Sequence, residues 1–393
     1  MRTYKKNICI DARFIYPQID GIGRYLYNLI KHLILITQDR DDIKFTILEI
    51  DKFYNNSLLR NFEGEKNIDF VKIPIIPHSI LNNFIYYLIR NYQISLFHYP
   101  QFNFPLIMKY PSIVTIHDLN PQTFPNFFVG LGGLFKKYYS IFENKIALLK
   151  ANKIIAVSNN TKKELIKFYG EKFEDKIEVI YLGIDEKFLL SRKQNYYQTL
   201  IEPLRKKYNF KEYFLYVGNN RPHKNILLLL KAFKEFKSRN SNKIKLLLIG
   251  KFFNDRYMNL QKELIELNLT EDVINFTVTD DELISLYSNA LAFIYISLSE
   301  GFGLPILEAM SLGTPVITSD RSSLKEIGGN AALFVNPFSI NEIVEAMEKV
   351  LIDEIRINLI NNGLQRTSNF TWENCASKTL EIYEQVIERK MNL

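Results

Sequence analysis

Two glutamates eight positions apart, Glu300 and Glu308, bracket the stretch of this 393-residue chain with the richest potential for chemistry, Glu-Gly-Phe-Gly-Leu-Pro-Ile-Leu-Glu. Gly301 and Gly303 make a turn behind an apolar run. Pro305 suits the first turn of a helix, which then continues to a stop at Gly313. A helix N-terminus behind such a turn offers N–H groups without intrahelical partners and the positive end of a dipole, a combination that favours a phosphate. The turn keeps the two glutamates off one helix face, so they can contact opposite ends of a single ligand lying across the helix mouth. Carboxylate oxygens accept hydrogen bonds from sugar hydroxyls. The plainer alternative is a helix start with a capping glutamate.

A second cluster, Arg221 and Lys224 in Val-Gly-Asn-Asn-Arg-Pro-His-Lys-Asn, follows another apolar run. Two cations at the carboxyl end of a strand can neutralise a pyrophosphate and stabilise it as it leaves; by itself the turn also fits a solvated loop. His117 and Asp118 close the run 112–118, at the kind of strand end where ligands of open α/β sheets bind. A lone histidine there also fits a satisfied structural role. His98, Gln101 and Asn103 stand at a further strand end, with a structural loop as an equal reading. Gly21 and Gly23 suggest a dinucleotide fingerprint, but Leu26 replaces its third glycine and the motif begins ten residues past Asp11. Thr-Asp-Asp-Glu-Leu at 279–283 reads as a helix start and not as a metal site.

The elements that must position these residues are short runs rich in Ile and Val. They fall at 7–11, 44–50, 69–73, 94–99, 112–118, 153–158 and 177–183, and again at 213–219, 244–250, 273–278, 291–297, 315–319 and 332–336. They lack strict alternation, as strands covered on both faces do, and helical stretches such as 23–35 and 133–149 lie between them. That rhythm predicts βαβ units and parallel sheets. The polar segment 191–207 interrupts it. Two α/β halves follow, residues 1–190 and 208–370, with an amphipathic C-terminal helix capped by Thr371.

Apolar residues make up 47% and charged residues 24% of the chain, with 16 Gly and 13 Pro, which excludes a disordered or collagen-like protein. Cys9 and Cys375 are too few for a disulfide framework or a zinc site. No apolar run reaches the roughly 18 residues of a membrane span. Asp11 and Arg13 break the basic start before a signal core can form, so a cytoplasmic or peripheral location is expected. The net charge is +7, and residues 1–190 hold 25 basic against 19 acidic residues, nearly the whole excess. An anionic membrane, a small anion or a plain solvated surface fits that; no nucleic-acid motif accompanies it. In 133–149, Leu134, Phe135, Tyr138, Ile141, Phe142, Ile146 and Leu149 keep helical spacing, with Lys136, Lys137 and Lys145 beside them. The stripe fits packing on the first sheet, and a basic aromatic helix also fits an anionic membrane surface.

The stretch from Glu300 to Glu308 resembles the Glu-x7-Glu signature of the retaining glycosyltransferases of family 4. The segments around Gly21 and Gly23, His117 and Asp118, and Arg221 and Lys224 resemble that family's other motifs in the same order, from Asp11 to the C-terminal helix. The resemblance implies an α/β protein of the GT-B fold: two Rossmann-like domains with parallel sheets facing a cleft, and a C-terminal helix, 371–393, crossing back to the first domain. Residues 1–190 would form the acceptor domain, 191–207 a linker and 208–370 the nucleotide-sugar donor domain. By the same resemblance Glu300 contacts the donor sugar, Glu308 the ribose, and the backbone of Phe302, Gly303 and Leu304 the diphosphate, which Arg221 and Lys224 grip. His117 faces the sugar, with Asp118 beside it, and Gly21 and Gly23 approach the phosphate side. Backbone around Thr277 and Val278 reads the base, Thr277 standing where the family has a glycine. His98, Gln101 and Asn103 lie toward the acceptor. The basic aromatic helix, apart from the resemblance, makes Lys136 and Lys137 candidates for a membrane contact. The implied reaction moves a hexose, mannose first, from GDP-mannose or, second, a UDP-sugar to a hydroxyl of a glycan or lipid-linked glycan, with retention and without metal or cofactor. An epimerase of the same fold and a non-catalytic sugar-nucleotide-binding module are the alternatives.

Overall fold

The apolar runs become strands because helix-forming segments on either side of each can cover both of its faces. The computed structural model describes residues 6–16, 21–52, 58–77, 79–123, 131–191, 200–252 and 258–391, without the side chains of 121, 131–136 and 391, and all thirteen expected runs are strands in it. The chain forms two compact units, residues 1–183 with 371–393, and residues 184–370.

In the first unit, β1 (Lys6–Asp11), β2 (Ile43–Ile50), β3 (Ile68–Ile73), β4 (Leu96–Tyr99), β5 (Ser112–Ile116), β6 (Lys153–Ala156) and β7 (Ile177–Val179) lie in the order β3-β2-β1-β4-β5-β6-β7. Every neighbouring pair is parallel. The order reverses between β1 and β4, and ligands of open α/β sheets bind outside the carboxyl ends of the strands at such a point. Helix Trp372–Met391 returns to this unit and packs along helix Gly21–Ile36. Thr371 caps it, its Oγ1 accepting from the Asn374 N–H at 3.2 Å. Trp372 approaches so closely that a Cβ on Gly183 would stand 2.2 Å from its backbone nitrogen. Buried Ala376, Tyr383, Val386 and Ile387 hold the helix down, each large apolar side chain contributing about 1.5–3 kcal/mol.

In the second unit, β8 (Tyr213–Val217), β9 (Lys245–Ile249), β10 (Val273–Phe276), β11 (Ala292–Tyr295), β12 (Val316–Ser319) and β13 (Ala332–Val335) repeat the pattern as β10-β9-β8-β11-β12-β13, again all parallel. The reversal falls between β8 and β11. Where the chain leaves β9, the Gly250 backbone lies against Gly218, whose carbonyl oxygen would be 1.8 Å from any Cβ. Helix Glu186–Ser191, most of whose residues fall within the expected half 1–190, packs on helix Leu304–Ser311 and belongs to the second unit. Most of the expected linker, 192–199, lies outside the described residues. The run 177–183 pairs only as far as Val179 before Ile184 donates its N–H to Phe370 O at 3.0 Å.

Candidate active site

Because β8 and β11 are neighbours, the loops leaving their carboxyl ends meet, and these loops carry the basic pair and the first glutamate. Pro222–Lys224 makes one 3-10 turn, ended by Asn225 at φ +60. The Leu298 N–H donates to His223 O at 2.7 Å and the Asn225 side chain to Ile296 O at 3.4 Å, which stitches the two loops together, while Asn225 also donates to Pro337 O beyond β13 at 2.6 Å. Lys224 Nζ thereby reaches Glu300 Oε1 at 2.7 Å, with the two side chains only 12% and 13% exposed. The same ammonium donates to the hydroxyl of Tyr295, 5.0 Å from that ring's centre. Burial pushes the Glu300 carboxyl up, but the charge of Lys224, with that of His223, outweighs it and holds the group below the usual carboxylate range. Burial keeps the Tyr295 phenol neutral by raising it far above its ordinary value, and brings His223 down to about 4.

The Glu300 loop is braced from behind. Its N–H donates to Ser322 Oγ at 3.0 Å, and the Ser323 hydroxyl lies 2.8 Å from Glu300 O and 2.7 Å from Phe302 O. Phe302 is buried edge-on to Phe370. Gly303 caps helix Leu304–Ser311 at φ +118, where a Cβ would also press on Leu324 at 2.9 Å; only glycine makes that turn without strain. Glu308 is buried one turn further along and accepts from the Tyr287 hydroxyl at 3.3 Å. Arg221 is exposed on the rim of the loop. Thr277 and Val278 follow β10, exposed and half-buried, just ahead of the Thr279–Glu282 capping box that starts helix Asp280–Asn289.

In the first unit His117 emerges one residue beyond β5. Its ring meets Tyr25 edge-on at 4.8 Å, and its Nε2 has no hydrogen-bond partner among the described residues. Burial lowers its pKa to about 4 against a backbone hydrogen bond with Pro100, so the ring is neutral at pH 7. Half-buried Gln101 likewise leaves Oε1 without a partner. Among the described residues, no group of three His, Cys, Asp or Glu could hold a metal ion.

Two family models match the chain, Glycosyltransferase Family 4 over residues 19–188 and Glycosyl transferases group 1 over residues 201–366, between them most of its length. This chain is a family 4 glycosyltransferase of the GT-B fold. The glycosyltransferase is similar to the O-antigen chain mannosyltransferase B of Escherichia coli, 28% identical over 94% of this chain and 97% of the relative. Among solved structures, sucrose-phosphate synthase of Thermosynechococcus elongatus aligns with a TM-score of 0.76 at 20% identity, covering 98% of this chain and 100% of that one. Anabaena Alr3699/HepE in complex with UDP and glucose aligns with a TM-score of 0.73 at 17% identity over 96% and 99%. These two likenesses bear on the fold alone.

Two candidate acceptor-side residues of the glycosyltransferase, His98 and Asn103, are taken up by the core instead. His98 is a core residue: it has no exposure, its Nδ1 bonds Tyr383 OH at 2.5 Å and its Nε2 bonds Thr115 Oγ1 at 2.8 Å. That leaves nothing for an acceptor. Asn103 is also consumed, donating to Pro77 O at 3.0 Å and accepting from Tyr99 OH at 3.2 Å. Asp118 accepts from the Asn120 N–H at 3.0 Å and so supports the short helix Asn120–Thr123. Gly21 and Gly23 lie inside the first turn of helix Gly21–Ile36, Gly21 exposed and Gly23 buried, and neither takes a positive φ. Lys137 is half-buried, and the Lys136 side chain lies outside the described residues. No motif in the sequence singles out Tyr295, Tyr287, Ser322 or Ser323. Only the serines leave a signal there, as a pair opening the helix after β12.

Proposed function

We propose that this glycosyltransferase moves a hexose from a nucleotide-sugar to a hydroxyl of a glycan or lipid-linked glycan in cell-surface polysaccharide assembly, with retention at the anomeric carbon and without a metal ion. GDP-mannose is the first donor and a UDP-sugar the second. The mannose reading leans on the E. coli O-antigen mannosyltransferase. The observation that carries the reading is the buried Lys224–Glu300 pair beside the helix N-terminus at Gly303. It puts a cation suited to a diphosphate next to a carboxylate suited to sugar hydroxyls.

In the proposed reaction the bond from the anomeric carbon to the phosphate oxygen breaks while the acceptor oxygen bonds that carbon on the same face. The acceptor's proton passes to the departing phosphate. Lys224, Arg221 and the N–H groups at the start of helix Leu304–Ser311 stabilise the charge that develops on the diphosphate. Glu300 orients the sugar, Glu308 holds the ribose, and backbone at Thr277 and Val278 meets the base. Neutral His117 offers Nε2 as a hydrogen-bonding group to the sugar and not as an acid. Incubating the protein with GDP-mannose and UDP-sugars in EDTA, and reading nucleotide release together with the product's anomeric signal by NMR, tests this. The expected result is release in EDTA and an α-linked product from an α-linked donor. An absolute requirement for Mn²⁺ or Mg²⁺ would remove the metal-free mechanism, and a β-linked product would remove retention.

A further inference from the structure

Tyr25 touches two residues of the β5 segment at once. It stands one turn into helix Gly21–Ile36 and is 1% exposed. Its hydroxyl lies 2.9 Å from Thr115 Oγ1, and its ring meets the imidazole of His117 edge-on at 4.8 Å, with 77° between the planes. Thr115 and His117 are two residues apart, so their side chains leave the strand on the same side, and one side chain laid along that side reaches both. Edge-to-face rings attract at a preferred angle. A Tyr25 ring that is held still therefore limits the tilt of the His117 ring.

The Tyr25 ring is held by a buried line of partners. Thr115 Oγ1 is also 2.8 Å from His98 Nε2, and His98 Nδ1 is 2.5 Å from the hydroxyl of Tyr383 on helix Trp372–Met391. Thr115, His98 and Tyr383 have no exposure, and a buried polar group left without a partner is destabilising. Each member of the line thus keeps the next in place. Trp372, at the start of the same returning helix, packs 6.2 Å from the Tyr25 ring. Helix Trp372–Met391 reaches His117 by both routes, and both pass through Tyr25.

The remaining contact of His117 sets which nitrogen it presents. The ring makes a backbone hydrogen bond with Pro100, and its Nε2 has no partner among the described residues. A proline nitrogen carries no hydrogen, so Pro100 accepts through its carbonyl oxygen and His117 donates from Nδ1. In the neutral ring the lone pair then stands on Nε2, which is an acceptor for a hydroxyl O–H. A half-turn of the ring would put a carbon where Nε2 stands, so this use depends on orientation. We propose that Tyr25 is a positioning residue for the transfer reaction: it holds the His117 imidazole with Nε2 free to accept from the sugar, and Tyr383, through His98 and Thr115, holds Tyr25. The inference rests on the reading of His117 as a sugar-binding group.

Imidazole ¹⁵N–¹H correlation spectra of the full chain without ligand read the arrangement. The chain has five histidines, and His117→Ala identifies the signal by its loss. The expected His117 pattern is a protonated Nδ1 and an unprotonated Nε2. In Tyr25→Leu, which removes the ring, and in Tyr383→Phe, which removes the far anchor, both nitrogens should move toward the averaged signals of exchanging tautomers. Tyr213→Phe, which removes an equally buried hydroxyl from the second unit, should leave them unchanged. Nucleotide release from GDP-mannose or a UDP-sugar, whichever the parent uses, should fall about two- to tenfold in Tyr25→Leu, the worth of one edge-to-face pair. In a His117→Ala background the same substitution should cost nothing further, because its effect passes through that ring. Tyr25→Phe keeps the ring and loses only the bond to Thr115; it should show the same changes to a smaller degree, and it serves where the leucine variant misfolds. A His117 pattern unchanged in the Tyr25 variants or in Tyr383→Phe, or a Tyr25 effect that adds in full to that of His117→Ala, would overturn the positioning role alone. Full nucleotide release by His117→Ala would overturn it differently, by removing the role of His117 on which it rests.

Discussion

Replacing Lys224 with methionine removes one charge from the Lys224–Glu300 pair while keeping most of the stem that lies over Tyr295. The two partners are 12% and 13% exposed, so the carboxylate left behind is largely desolvated. Breaking such a pair from one side costs about 3–5 kcal/mol. Because Glu300 can escape part of the penalty by taking up a proton, the lower end, about 3 kcal/mol, applies at neutral pH. For a unit of this size that is a fall of about 6–12 °C in Tm. The pH dependence gives the sharper signature. In the parent protein Lys224 holds Glu300 below the unfolded value of 4.5, so the pair's contribution is complete above that value and is lost as pH falls through the folded one. In Lys224→Met the main opposition to burial is gone, burial outweighs what remains from His223 and Ser297 and raises the Glu300 pKa, so the variant recovers stability as pH falls. The gap between the two proteins should be widest near pH 7 and should close toward about pH 4. Lys224→Met/Glu300→Gln, which leaves no buried charge, should recover most of the loss at pH 7. Scanning calorimetry of the three proteins reads all of this, and nucleotide release should fall by about 10²–10³ in Lys224→Met for want of the cation at the diphosphate. A gap that does not change with pH, or a double variant as unstable as the single one, would refute the view that ion-pair burial governs this site.

Glu308→Gln keeps an acceptor for Tyr287 but loses the charge offered to ribose hydroxyls. Donor Kd by calorimetry should rise by about 10- to 100-fold, the worth of a charged hydrogen bond, and an unchanged Kd would detach Glu308 from the nucleotide. Burial, with the neighbouring His117, lowers His98 to about 3. The unfolded state therefore binds the proton first, and stability falls as pH drops below the unfolded value near 6.5. The loss from this residue is about 2 kcal/mol at about pH 5, readable as a lower urea midpoint, and His98→Gln should flatten that slope.

The strands were legible in the sequence because parallel strands buried on both faces leave continuous apolar runs, as in Tyr213–Val217 and Ala292–Tyr295. The start of helix Asp280–Asn289 was legible too, since the Thr279–Glu282 box is a local exchange of hydrogen bonds. The division into units was less so. Helix Glu186–Ser191 stands ahead of the polar segment in sequence, yet its packing partner is helix Leu304–Ser311, more than a hundred residues later. Which core a six-residue helix joins depends on contacts that composition does not display.

The same distinction separates the candidate site residues that stand at strand and turn ends from those drawn into the core. Glu300, Glu308 and Lys224 sit where local turn chemistry puts them, around Gly303 and the 3-10 turn at Pro222. Two histidines of the first unit look alike from sequence, each at the end of an apolar run drawn as 94–99 or 112–118. In the structure β4 extends through Tyr99, so His98 lies within a central strand with a sheet neighbour on either side, whereas β5 stops at Ile116 and leaves His117 just past its end. A histidine inside a central strand must find its partners in the layers above and below, and His98 finds one of them in Tyr383, on a helix 285 positions away. One residue past the carboxyl end, the same side chain reaches the edge where ligands of such sheets bind, and His117 keeps Nε2 unpartnered there. A two-residue difference in where β5 ends thus separates a core histidine from a candidate ligand-binding one, and residue type alone carries no record of it.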